Sequence, residues 1–169
     1  RPAPEVEVVA MLRAASPRTR AMALLMTYCG LRCMEVAGVR HEHFRRDVTG
    51  RWWLDITRAK GGSRQVVPVP SWVVDEVLAA PEWTIGPQSV QKTVRDAFRA
   101  VGSSATPHQL RHYYGTSALQ QTGAHQGHDR LVWTVLASPP PEGSPAHLLV
   151  LRSASPPPCA WDVFTLPAA

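Results

Sequence analysis

Residues 106–112 read TPHQLRH, and this stretch decides how the rest of the sequence is interpreted. Threonine followed by proline is typical of a helix start, because threonine caps the first turn and proline fits the first helical position. On such a helix His108 and Arg111 lie one turn apart on the same face, where an imidazole and a guanidinium can address one phosphate group. Such a pair also occurs on the surface of many helices, so its meaning depends on other residues.

Two elements upstream add charged residues of the same kind. Residues 30–35 read GLRCME, which puts Arg32 and Glu35 one turn apart just after Gly30 ends an apolar helix. Residues 51–56 (RWWLDI) and 64–69 (RQVVPV) are rich in aromatic and β-branched residues, and the turn sequence KGGS lies between them. The sequence therefore predicts a β-hairpin with Lys60 at or near its tip.

The remaining periodic segments predict helices, so the expected fold class is α+β, mainly helical, with a small antiparallel sheet or hairpin. The predicted helices cover residues 4–15, 20–29, 71–80, a segment opened by Pro87, and the segment from Pro107 through Leu119. Ser16 and Pro17 are interpreted as a break between the first two, and Ser71 as the cap of the third.

The composition indicates one domain with a basic surface. The chain has 169 residues, is 44% hydrophobic and carries a formal charge of +5, and its pI of about 9.6 suits a polyanionic partner. Residues 1–123 hold sixteen basic and ten acidic residues, whereas residues 124–169 hold two and three, together with eight of the 16 prolines. We expect residues 1–123 to be one incomplete domain, and residues 124–169 a Pro-rich atypical tail that is out of frame or disordered.

Several classes of protein do not fit. The sequence lacks a long apolar run and a signal-peptide pattern, so the expected location is the cytoplasm, without membrane contact. Cys29, Cys33 and Cys159 show no repeated pair spacing and are expected to stay reduced. A zinc site is not predicted, because the His108/His112 pair lacks the glutamate of a HExxH motif and His41-x-His43 lies elsewhere in the sequence.

The motifs in this order resemble the C-terminal catalytic domain of the tyrosine recombinases of the phage-integrase kind, over roughly residues 5–123. The resemblance implies site-specific DNA recombination or integration, in which DNA strands are cleaved and rejoined through a 3′-phosphotyrosine without any cofactor or metal. It implies that Arg32 and Arg111 stabilise the charge on the non-bridging phosphate oxygens, that Lys60 is the general acid, and that His108 assists proton movement. Glu35 and His112 are expected to be supporting residues.

The partner that the resemblance implies is double-stranded DNA, bound by a homotetramer when the protein is complete. Basic side chains outside the motifs are candidate contacts to backbone phosphates, although a solvated basic surface is the alternative for each. The candidates are Arg45, Arg46, Arg58, Arg64, Lys92 and Arg95.

The sequence departs from the family at the nucleophile. Its tyrosines are Tyr28, Tyr113 and Tyr114, and none follows the HQLRH helix at the distance expected of the nucleophile. We therefore assign no nucleophile, and we expect a change of reading frame near Gly123. The alternative function is a catalytically inactive DNA-binding remnant. A type IB topoisomerase, which shares the chemistry, is a further alternative.

Overall fold

The computed structural model describes residues 1–57 and 65–122 of the chain. Its elements in chain order are α1 (Glu5–Ala14), α2 (Pro17–Cys29), α3 (Cys33–Ala37), a short 3₁₀ turn (His41–His43), β1 (Phe44–Arg46), β2 (Trp52–Ile56), β3 (Gln65–Val69), α4 (Ser71–Ala79), α5 (Pro87–Ala100) and α6 (Pro107–Thr122). The predicted α+β class, mainly helical with one small antiparallel sheet, is confirmed.

Helix α2 begins three residues earlier than the sequence predicted. The side chain of Ser16 accepts a hydrogen bond from the backbone N–H of Thr19 at 3.3 Å, and Pro17 occupies the first turn. The predicted break between the first two helices is present at Ala15 and Ser16, but Pro17 belongs to α2, because serine followed by proline is a usual start of a helix. The helix ends at Gly30, whose φ of +65° is the left-handed conformation that glycine adopts without strain.

The sheet has the order β1-β2-β3, with both pairs antiparallel. In the predicted hairpin, Trp53 lies opposite Pro68 and Leu54 opposite Val67, and the buried side of the sheet includes Leu54 and Val67. Strand β1 was not predicted, because it has only three residues, of which Phe44 alone is buried. The predicted capping role of Ser71 is also not observed, since Pro70 precedes α4 and makes no side-chain cap bond.

The core is centred on α2, which packs against α1, α4, α5 and α6. Its buried side chains include Met22, Leu24 and Leu25, each with no exposed surface. Removal of one such side chain from water stabilises the fold by about 1.5–3 kcal/mol. The central position of α2 fixes the corner at Gly30, and α6 crosses this corner.

The elements on the two sides of the corner at Gly30 are each fixed by contacts with another part of the fold. Helix α3 packs against α5, and the indole N–H of Trp83 donates to the carbonyl of Val36 at 2.9 Å. At the other side the N-terminal segment lies along the start of α6, where the N–H of Ala3 donates to the carbonyl of Gln109 at 3.3 Å.

Within residues 1–57 and 65–122, no helix is both long and apolar enough to cross a bilayer. The predicted tail, residues 124–169, lies outside the described residues.

Candidate active site

Arg32 and Glu35 form a closed unit at the start of α3. The backbone N–H of Arg32 donates to Glu35 Oε2 at 2.7 Å, and Arg32 Nη1 donates to Glu35 Oε1 at 3.1 Å. The Glu35 side chain is 4% exposed, whereas that of Arg32 is 44% exposed. One buried carboxylate therefore caps the helix and orients an arginine whose guanidinium still reaches the surface.

Arg111 reaches the same corner from α6. Its Nη1 donates to the carbonyl of Gly30 at 2.8 Å, a contact between residues 81 positions apart in the sequence. Gly30 lies two residues before Arg32, so this bond brings the two arginines to one place in the fold. The sequence predicted that these side chains would meet, but it gave no sign that a backbone carbonyl would hold one of them.

The electrostatics of this cluster reflect the proximity of two positive charges. Partial burial lowers the pKa of Arg111, and the positive charge of Arg32 lowers it further. The carboxylate of Glu35 acts in the opposite direction and favours the charged guanidinium. Two guanidiniums that interact strongly enough to shift a pKa, with one buried carboxylate beside them, make a site with an unbalanced positive charge.

His108 and His112 lie on the exposed face of α6, one turn apart. Their Nε2 atoms are 2.9 Å apart, and the two rings are nearly perpendicular, with an interplanar angle of 87°. The predicted supporting residue His112 therefore contacts His108 directly. The resemblance gave His112 a supporting role without naming a partner, and the residue that it contacts is the histidine one turn before it.

The predicted general acid and two of the predicted DNA contacts cannot be located. Lys60, Arg58 and Arg64 all lie in residues 58–64, outside the described residues. Strands β2 and β3 flank this segment, as the hairpin prediction required.

The four remaining basic candidates fall into two pairs. On β1, Arg45 makes two bonds to the buried Asp55, at 3.0 and 2.8 Å, and Arg46 lies 5.5 Å from the ring centre of Trp52. On α5, the exposed Lys92 pairs with Asp96 at 2.5 Å, and Arg95 is partly buried. Arg45 has a clear structural role in addition to any contact with a ligand.

The three tyrosines all pack against the interior. Tyr28 stacks edge-on against Trp72 with ring centres 4.8 Å apart, Tyr113 is partly buried against the core, and Tyr114 lies on Gly30. Burial raises the pKa of Tyr28 and of Tyr114 well above the usual value for tyrosine. A phenol that ionises less readily is a poorer nucleophile.

Comparison with known proteins points to one group. No protein-family model matches the chain. The chain is 24% identical to the tyrosine recombinase XerA of Pyrococcus furiosus over 122 residues, which cover 62% of this chain and 42% of that protein. The structure of the integrase from mycobacterium phage Brujita matches with a TM-score of 0.60 and 30% sequence identity, over 72% of this chain and 45% of the integrase.

The chain thus spans less than half the length of either relative. The likeness in sequence and the likeness in structure point to the same group of proteins. The chain is related to the tyrosine recombinases and phage integrases.

Proposed function

We propose that this chain binds duplex DNA through a phosphate group held between Arg32 and Arg111, as the phosphate-binding part of a site for site-specific recombination. The observation that supports this most strongly is the joint anchoring of the two arginines, Arg32 by Glu35 and Arg111 by the Gly30 carbonyl. The likeness of the chain to a recombinase and to an integrase supports the same process.

The charge of the site favours an anion. Arg32, Glu35 and Arg111 together carry one excess positive charge, and the pKa of Arg111 is lowered partly by repulsion from Arg32. A phosphate that accepts hydrogen bonds from both guanidiniums removes this repulsion and uses donors that are already oriented. The same donors would stabilise the additional charge of a five-coordinate phosphorus, which is the requirement for strand cleavage and rejoining.

The other predicted residues take part around that phosphate. Lys60 protonates the departing 5′ oxygen as general acid, and His108 contacts the phosphate and assists proton movement. Glu35 and His112 support Arg32 and His108 through the contacts described above. The scheme uses no cofactor, because arginine and lysine side chains supply the positive charge.

The chain alone holds DNA without forming a covalent bond to it. Tyr28 and Tyr114 are packed against other residues and have raised pKa values, and Tyr113 is partly buried. Tyr28 and Tyr114 therefore lack the exposure and acidity that attack on a phosphate requires, and Tyr113 lies only two residues after Arg111, too close to match the position of the family's nucleophile. Cleavage requires a tyrosine from elsewhere, such as one lent by an intact neighbouring protomer in the tetramer on DNA, because every copy of this chain lacks the same nucleophile.

Two measurements on the full chain test this function. Duplexes that the chain retains from a randomised pool are first titrated at several salt concentrations, and affinity is expected to fall steeply with salt. Nicked suicide versions of the same duplexes are then incubated with the chain and run on a denaturing gel. We expect no covalent adduct. An adduct would contradict the non-cleaving part of the proposal, and the absence of any duplex binding would contradict all of it.

A further inference from the structure

We propose that His108 and His112 form a chelating site for a divalent transition-metal cation of the Ni²⁺ or Cu²⁺ type. Both side chains are exposed on α6, and their Nε2 atoms lie 2.9 Å apart. Neutral imidazole is a good ligand for these metals. His108 is also placed against the phosphate in the function proposed above, but metal binding to the free chain can be measured without DNA.

The distance between the two nitrogens fits one metal ion. Two imidazole nitrogens that each bind a metal at about 2.0–2.1 Å lie about 2.9 Å apart when the angle at the metal is a right angle, and farther apart at the tetrahedral angle. The observed separation of 2.9 Å therefore matches adjacent positions of a square-planar or octahedral ion better than a tetrahedral zinc site.

The orientation of the rings also fits chelation. The ring centres are 4.5 Å apart. If the two Nε2 atoms lay on the line that joins the ring centres, the distance between the centres would be 2.9 Å plus the radius of each ring. The observed distance between the centres is shorter than that sum. The two rings therefore do not meet head-on. Their contact is a hydrogen bond whose donor and acceptor depend on the tautomer, and a metal ion bound by both nitrogens would replace its proton.

The remaining coordination positions would be filled by water. Among residues 1–57 and 65–122, no group of three or more His, Cys, Asp or Glu side chains is arranged to hold a metal. The guanidinium of Arg111, one turn from His108 on the same helix, adds a repulsive charge. A site with two protein ligands and a positive neighbour is expected to bind metal reversibly rather than to retain it through purification.

The test is calorimetric titration of the full chain with NiCl₂. The chain carries the substitutions His125→Gln, His128→Gln and His147→Gln, which remove all three histidines of residues 123–169. We expect one Ni²⁺ per chain. A further His108→Gln or His112→Gln change should weaken binding by at least about tenfold, since either one removes half of the chelate. His43→Gln, on the 3₁₀ turn, is the matched control and should leave the affinity unchanged.

Circular dichroism of each variant checks that the fold is retained, which is expected because both ring systems are exposed. An affinity that is unchanged by His112→Gln, or lowered equally by His43→Gln, would overturn the proposal. Failure of the chain to bind DNA would leave this result unaffected, so the two proposals fail separately.

Discussion

The ring of Tyr114 lies directly on Gly30, so closely that a β-carbon at position 30 would be 2.9 Å from ring atoms Cδ1 and Cε1. Arg111, one turn earlier on α6, donates to the carbonyl of the same glycine. Two side chains of α6 thus contact the residue at which α2 ends and the segment with Arg32 begins. The placement of both arginines depends on the absence of a side chain at position 30.

Substitution of Gly30 is therefore expected to be more damaging than substitution of a comparable glycine. Gly30→Ala adds a left-handed alanine, which costs about 1–2 kcal/mol, and a clash with Tyr114, which costs about 1–3 kcal/mol more. Gly102 has a similar φ of +77° and no atom within 4 Å of an added β-carbon, so Gly102→Ala carries the backbone penalty alone. Urea unfolding of both variants measures the difference, and equal losses would show that the Tyr114 contact is unimportant.

Glu35 should contribute more to stability than a carboxylate in an exposed ion pair. Glu35→Gln removes a 4% exposed charge that accepts from two donors of Arg32, and we expect a loss of about 1–3 kcal/mol in the free energy of unfolding. Glu76→Gln removes the 26% exposed partner of Arg20, 3.5 Å away, and should lose less than about 1 kcal/mol. The comparison is made by chemical denaturation at neutral pH. A larger loss for Glu76→Gln would contradict the bracing role of Glu35.

Asp47 should make the turn between β1 and β2 sensitive to acid. Its side chain accepts hydrogen bonds from the side chains of Thr49 and Trp53 and from the backbone N–H groups of Thr49 and Arg51, and these bonds lower its pKa far below the usual value. A carboxyl with a lowered pKa stabilises the fold above its unfolded pKa of about 3.9, and this contribution disappears as the pH falls toward the folded value.

The variant Asp47→Asn should therefore be less stable than the natural chain at pH 7, and the difference should shrink as the pH falls below about 5. Thermal unfolding at a series of pH values records this, with the exposed Asp75→Asn on α4 as the control for loss of one carboxylate. A stability difference that stays constant down to pH 3 would exclude the hydrogen-bonded carboxylate as its cause.

Arg45 and Lys92, both predicted to contact DNA, should respond differently to substitution. Arg45 holds the 8% exposed side chain of Asp55 with two bonds, so Arg45→Gln is expected to lower stability by about 1 kcal/mol. Lys92 pairs with the more exposed Asp96, so Lys92→Gln should change stability by less than about 0.5 kcal/mol. If Lys92 contacts a phosphate, its loss should reduce the salt dependence of duplex affinity by about one unit of slope. An unchanged slope would remove Lys92 from the interface.

The sequence predicted the parts of this structure that follow from local signals. Proline at the start of α5 and α6 correctly marked two helices, because helix-start signals and apolar periodicity act over a few residues. In α5 the periodic residues Val90, Val94 and Phe98 are buried. Strand β1 was missed because three residues with one buried side chain carry no alternation. The contacts of Gly30 with Arg111 and Tyr114 were missed because they join positions about eighty residues apart, and only the packing of α6 on α2 creates them.

The pairing of Arg32 with Arg111 at one phosphate is the central claim, and a double-mutant cycle on duplex affinity tests it most directly. Arg32→Gln, Arg111→Gln and the double variant are titrated with one duplex at several salt concentrations, after thermal unfolding has shown that each is folded. If both arginines hold one phosphate, the double variant should lose less affinity than the sum of the single losses, and its salt slope should fall by about one unit. Additive losses, with a slope lowered by about two units, would mean that the arginines contact separate phosphates and would contradict the claim.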